Sequence, residues 1–161
     1  MKKLVEGIAQ NLVMRQATLA TAESCTGGGI AKALTELPGS SVWYQGGVVS
    51  YSNSLKQKLL CVTTASLENY GAVSEQVARE MVEAVAKIAS SDFAVSTTGI
   101  AGPDGGSVDK PVGTVCFGFF CEGETMAETK MFSGGRAEVR EATIDYALTR
   151  LLELVKVKKS G

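Results

Sequence analysis

Leu4, Ile8 and Leu12 recur every fourth position near the start of the chain, with Val5 and Val13 beside them. This spacing places side chains on one face of a helix, so residues 2–15 are expected to form an amphipathic helix covering one side of a sheet. A short β-prone run, residues 17–22, comes next, followed by the small-residue stretch Glu23-Ser-Cys-Thr-Gly-Gly-Gly29 and then residues 30–37, apolar again at helical spacing. The order is strand, turn, helix, and Pro38-Gly39 stops the helix because proline cannot continue its hydrogen-bond ladder.

Val42-Trp43-Tyr44 and Gly46-Gly47-Val48-Val49-Ser50-Tyr51 read as a second strand. Ser52 or Asn53 can cap a short helix running to Leu60, residues 65–70 suit another that ends at Gly71, and Ser74 can cap a longer one with Val77, Met81, Val85 and Ile88 on one stripe. Residues 93–97 are mostly apolar, as a strand covered on both faces should be. After a long glycine-rich connection over residues 98–113, two strands, 112–120 and 125–132, flank Glu122-Gly123 and read as a hairpin at one side of the sheet. Residues 136–156 form the longest predicted helix, with Val139, Ala142, Tyr146, Leu151, Leu152 and Val155 buried. This alternation implies a three-layer α/β/α sandwich with a mixed, mostly parallel five-stranded sheet.

Composition narrows the picture. At 161 residues and 45% hydrophobic content the chain suits one domain, residues 1–161, with one well-buried core. Sixteen basic and seventeen acidic residues leave a formal net charge of -1, with neither sign in a long block, which argues against a nucleic-acid surface; the basic end 156–159 reads as a solvated helix terminus. No apolar run reaches membrane-spanning length and the charged first residues do not resemble a signal peptide, so a cytoplasmic protein with no membrane contact is expected. Cys25, Cys61, Cys116 and Cys121 lack C-x-x-C spacing and read as reduced thiols. Homo-oligomerisation is left open.

The absence of histidine is the most restrictive count. It excludes Ser-His-Asp and Cys-His catalysis and removes the commonest transition-metal ligand, leaving Lys, Tyr, Asp or Glu as proton acceptors. In the first glycine-rich turn Ser24, Cys25 and Thr26 all qualify as nucleophiles, while an N-cap role for Ser24 or Thr26 is the plainer alternative. Small residues there let a backbone approach a ligand, and the N–H groups of a helix start favour an anion or a developing oxyanion. The long second glycine-rich connection is expected to serve the same site, because ordered loops of that length are uncommon in compact domains without a functional reason.

Read together, Thr21-Ala-Glu-Ser-Cys-Thr-Gly-Gly28, Tyr51-Ser-Asn53 with Lys56, Gly71-Ala-Val-Ser74, Thr98-Gly-Ile-Ala-Gly-Pro-Asp-Gly-Gly106, Lys110-Pro-Val-Gly113 and Phe132-Ser-Gly134 with Arg136 resemble the CinA C-terminal domain family in order over nearly the whole chain. The resemblance implies an α/β/α fold and hydrolysis of the carboxamide of nicotinamide mononucleotide to nicotinate mononucleotide and ammonia, a step in pyridine nucleotide salvage. It implies a Ser/Lys pair, with Ser24 as nucleophile, Lys56 as base and Tyr51 orienting Lys56. Backbone N–H groups of Cys25, Thr26, Gly27 and Gly28 would form the oxyanion hole, Thr98 and Gly99 would hold the carboxamide or ribose, and Arg136 at a helix start would anchor the phosphate. Neither a metal nor a cofactor is required. A lysine base needs a pKa well below its free value of about 10.4, and a fall of about three units costs about 4 kcal/mol. The rival expectation is a non-catalytic nucleotide-binding or regulatory module on the same fold.

Overall fold

The computed structural model describes residues 1–156 and follows the predicted order with shifted boundaries. Helices α1 (Lys2–Arg15) and α2 (Gly29–Thr35) bracket strand β1 (Leu19–Glu23); β2 (Tyr44–Val49) is followed by α3 (Asn53–Leu60), α4 (Thr64–Tyr70) and α5 (Glu75–Ala89); then come β3 (Phe93–Gly99), β4 (Thr114–Cys121), β5 (Glu124–Met131) and α6 (Arg136–Lys156). The sheet order is β2-β1-β3-β4-β5. β1 pairs parallel with β2 and β3, while β3–β4 and β4–β5 are antiparallel, so β5 runs with the first three strands and only β4 opposes them.

Side-chain alternation assigns the two faces. Leu19, Phe93, Val95, Val115, Phe117 and Phe119 point into a core shared with α1, α2 and α6, and fully burying a side chain of this size contributes about 1.5–3 kcal/mol. Ala20, Ala22 and Ala94 point the other way, where small residues let α5 lie close through Val77, Met81, Val82 and Val85. Gly118 on β4 completes this shallow face, for a Cβ there would overlap the Ala78 carbonyl and Ser96 Oγ. Ser96 Oγ donates to that same carbonyl at 2.7 Å, fastening α5 to the sheet. At the far edge Glu122 and Gly123 both have positive φ, 49° and 97°, which suits the twist of a two-residue hairpin between β4 and β5.

Several expectations are corrected. The segment expected as one strand over 42–51 divides into a 3-10 turn (Ser40–Val42) and β2, with Trp43 turned into the core at the join. Val13 and Ile88 obey helical spacing yet are exposed, each at the margin of its stripe. On α6, Thr143, Ala147 and Leu148 are buried with Val139, Leu151 and Val155, whereas Ala142, Tyr146 and Leu152 are half-buried. Thr143 escapes a hydrophobic scan because its hydroxyl is satisfied locally, donating to the Val139 carbonyl at 2.7 Å. Lys156 is exposed at the helix end; the rest of the expected basic terminus lies outside the described residues.

The chain leaves β1 through α2 on one face and reaches β3 through α5 on the other. Such a switch opens a crevice beyond the carboxyl ends of the strands. Ser24 follows β1, Ser50 and Tyr51 follow β2, and the 100–113 connection follows β3.

Candidate active site

The turn after β1 is held from several sides. Ser24 N–H donates to the Thr97 carbonyl at 3.0 Å and Gly27 N–H to the Ser24 carbonyl at 3.0 Å, while Gly27 and Gly28 take φ of 60° and 96°, left-handed values that favour glycine. Glu23, 1% exposed, turns its carboxylate into the first turn of α2 and accepts from the N–H groups of Ile30 at 2.8 Å and Ala31 at 3.0 Å. An internal anion therefore occupies the start of α2, leaving that helix end no room for a ligand's phosphate. From α6, Arg140 Nε donates to the Cys25 carbonyl at 3.1 Å and Nη2 to the Thr26 carbonyl at 3.3 Å. Sequence reasoning offered Glu23 only as a substitute proton acceptor and assigned nothing to Arg140, whose signal was its sharing a helix face with Arg136.

Lys56 stands opposite this turn. Ser52 caps α3 by accepting from Leu55 N–H at 3.1 Å, and the helix then turns Lys56 and Leu60 inward on one stripe. Lys56 is only 2% exposed. Its Nζ donates to Ser24 Oγ at 2.9 Å, to the Ser50 carbonyl at 3.0 Å and to the Tyr51 carbonyl at 3.4 Å. Burial lowers its pKa from the usual lysine range, while the neighbouring Cys25 sulfur raises it in part. Cys25 itself is buried, and desolvation pushes its thiol up to about 11, so it stays protonated and weakly nucleophilic at neutral pH.

A cleft of about 280 Å³ opens over this pair, lined at its base by Ser24, Cys25 and Lys56 and towards its mouth by Asn53, Asp104 and Arg136. The near half of the long connection, Ile100 to Gly105, forms one wall; the far half runs through solvent, with Val108 99% exposed. Arg136 bridges the mouth, donating through Nη1 to the Gly102 carbonyl and through Nη2 to Tyr51 Oη, both at 2.8 Å.

Ser24, Cys25, Lys56, Tyr51, Thr98, Gly99 and Arg136 thus share one cleft, but three expected roles change. Tyr51 touches Lys56 through its backbone carbonyl, and its hydroxyl faces Arg136. Gly27 N–H is already used within the turn, so Gly27 shapes the loop, while Thr26 is fully buried with its hydroxyl 2.9 Å from that of Thr97 and its backbone N–H outside the turn's own bonds. Thr98 is 1% exposed and donates to the Ala72 carbonyl at 2.7 Å, which pins the Ala72–Val73 wall of the cleft. Among the described residues no group of three or more His, Cys, Asp or Glu side chains could hold a metal ion, and no helix is long and apolar enough to cross a membrane.

Comparison with known proteins places these features in company. The family profile described as the CinA C-terminal domain matches residues 1–155. The nicotinamide-nucleotide amidohydrolase PncC of Escherichia coli (strain K12) is 49% identical over 150 residues, covering 92% of this chain and 91% of that protein. The nicotinamide-nucleotide amidohydrolase PncC of Enterobacter agglomerans is 53% identical over 137 residues, 84% of each. The crystal structure of a competence-damaged protein (CinA) superfamily protein from Enterobacter cloacae superposes with a TM-score of 0.93 at 35% identity, covering 96% of this chain and 92% of that one.

Proposed function

The chain belongs to the CinA C-terminal domain family, and from that premise we propose that it is a nicotinamide-nucleotide amidohydrolase in which Ser24 is the nucleophile and Lys56 the base. The reaction converts the carboxamide of a nicotinamide mononucleotide to a carboxylate with release of ammonia. This is a step of pyridine nucleotide salvage, and the cytoplasm is the compartment it implies.

The observation that carries the reading is the buried 2.9 Å contact between Lys56 Nζ and Ser24 Oγ. Two of the three Nζ directions are taken by backbone carbonyls, so in the neutral amine the remaining direction, the lone pair, faces the serine hydroxyl. Lys56 takes the Ser24 proton as Ser24 Oγ attacks the carboxamide carbon; the N–H groups of Cys25 and Thr26 meet the developing oxyanion. Lys56 then returns the proton to the departing nitrogen, and ammonia leaves an ester on Ser24. Water, deprotonated by the same amine, hydrolyses the ester and restores the pair. Arg136 at the mouth takes the phosphate, exchanging its bond to Tyr51 for a charge-assisted one, and Tyr51 closes beside it.

The test is ammonia release from nicotinamide mononucleotide by purified protein, with Ser24→Ala as control. Stoichiometric nicotinate mononucleotide from the wild type and none from the variant is the expected result. Saturable nucleotide binding without ammonia would make the protein a binding module.

A further inference from the structure

Lys56 has burial to disfavour its proton, but two backbone carbonyls beside it favour the ammonium form. The usual second device, a fixed positive neighbour in contact with Nζ, is absent among the described residues, where Nζ meets Ser24 Oγ and the two carbonyls. The Cys25 thiol approaches from the β1 turn, and Glu23 beside it is turned into α2. On α5, Glu80 accepts from Thr63 and Ser66 beyond the far end of α3. Across the cleft stand Asp104, exposed at the mouth, and Arg136, held there by Gly102 and Tyr51; the Tyr51 hydroxyl faces away from Lys56 towards that arginine. Arg140 keeps its charge but directs its donors to the Cys25 and Thr26 carbonyls and makes no contact with Nζ.

Resting on the amidohydrolase reading, we propose that the pyridinium ring of the bound nucleotide is itself the missing cation: the substrate's own charge, placed in the cleft over Ser24, holds Lys56 in its neutral, proton-accepting form. With the carboxamide carbon against Ser24 Oγ, ring geometry keeps the charged nitrogen within about 7 Å of Nζ, where a unit charge at an effective dielectric of about 20 moves a titration by about one to two pH units. The cleft base is closed by buried groups, so solvent screens this interaction weakly, whereas Asp104 lies at the wet mouth where its opposing charge is screened strongly. The inference makes ring charge a determinant of specificity. A neutral aromatic carboxamide on the same ribose phosphate is expected to leave the titration of Lys56 where it stands in the free protein.

The experiment compares nicotinamide mononucleotide with its benzamide counterpart, the same ribose phosphate carrying an uncharged ring. For the pyridinium substrate the rising limb of kcat is expected about one to two pH units below that of kcat/KM, while for benzamide the limbs coincide. The greater intrinsic reactivity of the pyridinium carboxamide changes the height of the profile and not the position of its limb. A second measurement is independent of turnover: the NMR titration of Lys56 Cε in Ser24→Ala saturated with either nucleotide. A lower midpoint under the pyridinium ligand supports the inference, and equal midpoints overturn it. Ammonia release with coincident limbs for both nucleotides also overturns it while leaving the amidohydrolase reading intact; no ammonia from either nucleotide at any pH defeats that reading instead.

Discussion

Ser24 and Cys25 are adjacent in sequence and equally plausible nucleophiles by residue type, but their surroundings separate them. Lys56 Nζ is 2.9 Å from Ser24 Oγ, whereas the Cys25 thiol, raised to about 11 by burial, remains un-ionised. Ser24→Ala is therefore expected to abolish ammonia release and Cys25→Ala to retain most of it; the opposite pattern in a coupled ammonia assay would move the role to sulfur. Lys56→Arg keeps a positive charge but cannot give up its proton at neutral pH, so turnover should fall to background in a folded protein. The other proton acceptors the sequence offered are engaged elsewhere: Glu23 with α2, Tyr51 with Arg136, and Lys110 with the Tyr70 carbonyl. Arg136→Ala should cost about 1.5–3 kcal/mol in apparent mononucleotide affinity, read as a rise in KM with kcat largely kept. Unchanged KM would place the phosphate elsewhere.

Among the elements, the join of β1 to α2 and the contact of α5 with the sheet are the two places where a small change should propagate. Glu23→Gln keeps one acceptor but sets an NH2 group against a helical N–H, and a buried mismatch of this kind costs about 1–3 kcal/mol. Urea denaturation should show that loss, and kcat should fall with it because the same turn positions Ser24. Gly118→Ala tests the other contact. Its added methyl would meet the Ala78 carbonyl and Ser96 Oγ, and overpacking of a tight interface costs about 1–3 kcal/mol, so a midpoint equal to wild type would show that α5 is not seated as closely as described. The alanines on β1 and β3 were readable in sequence, but their meaning was not, because a period-2 pattern tells which residues share a face without telling how near the covering helix will lie.

At the scale of the whole molecule, the buried lysine links catalysis to stability. Its folded pKa lies below the 10.5 of an exposed lysine, so over the interval between the two values the unfolded chain binds more protons than the folded one. Stability must then rise with pH across that interval, by at most about 1.4 kcal/mol per pH unit, and the rise should be missing in Lys56→Met. Parallel stability-versus-pH curves for the two proteins from neutral pH to about 10 would deny that Lys56 is desolvated. Helical and alternating periodicities, glycine punctuation and the zero count of histidine came from the chain itself, and they determined the three-layer architecture, the strand-turn-helix around Ser24 and the need for a base other than histidine. These are local or compositional properties, written in neighbouring residues. The tertiary structure decided what depends on residues far apart in the chain: that Lys56 is buried against Ser24, 32 positions away; that Glu23 fills the helix start which looked ready for an anion; and that Tyr51 turns its hydroxyl to Arg136, 85 positions on. Burial and hydrogen-bond geometry are set by which elements pack together, so the chemistry of these side chains became definite only once the sheet order β2-β1-β3 had brought their loops to one edge.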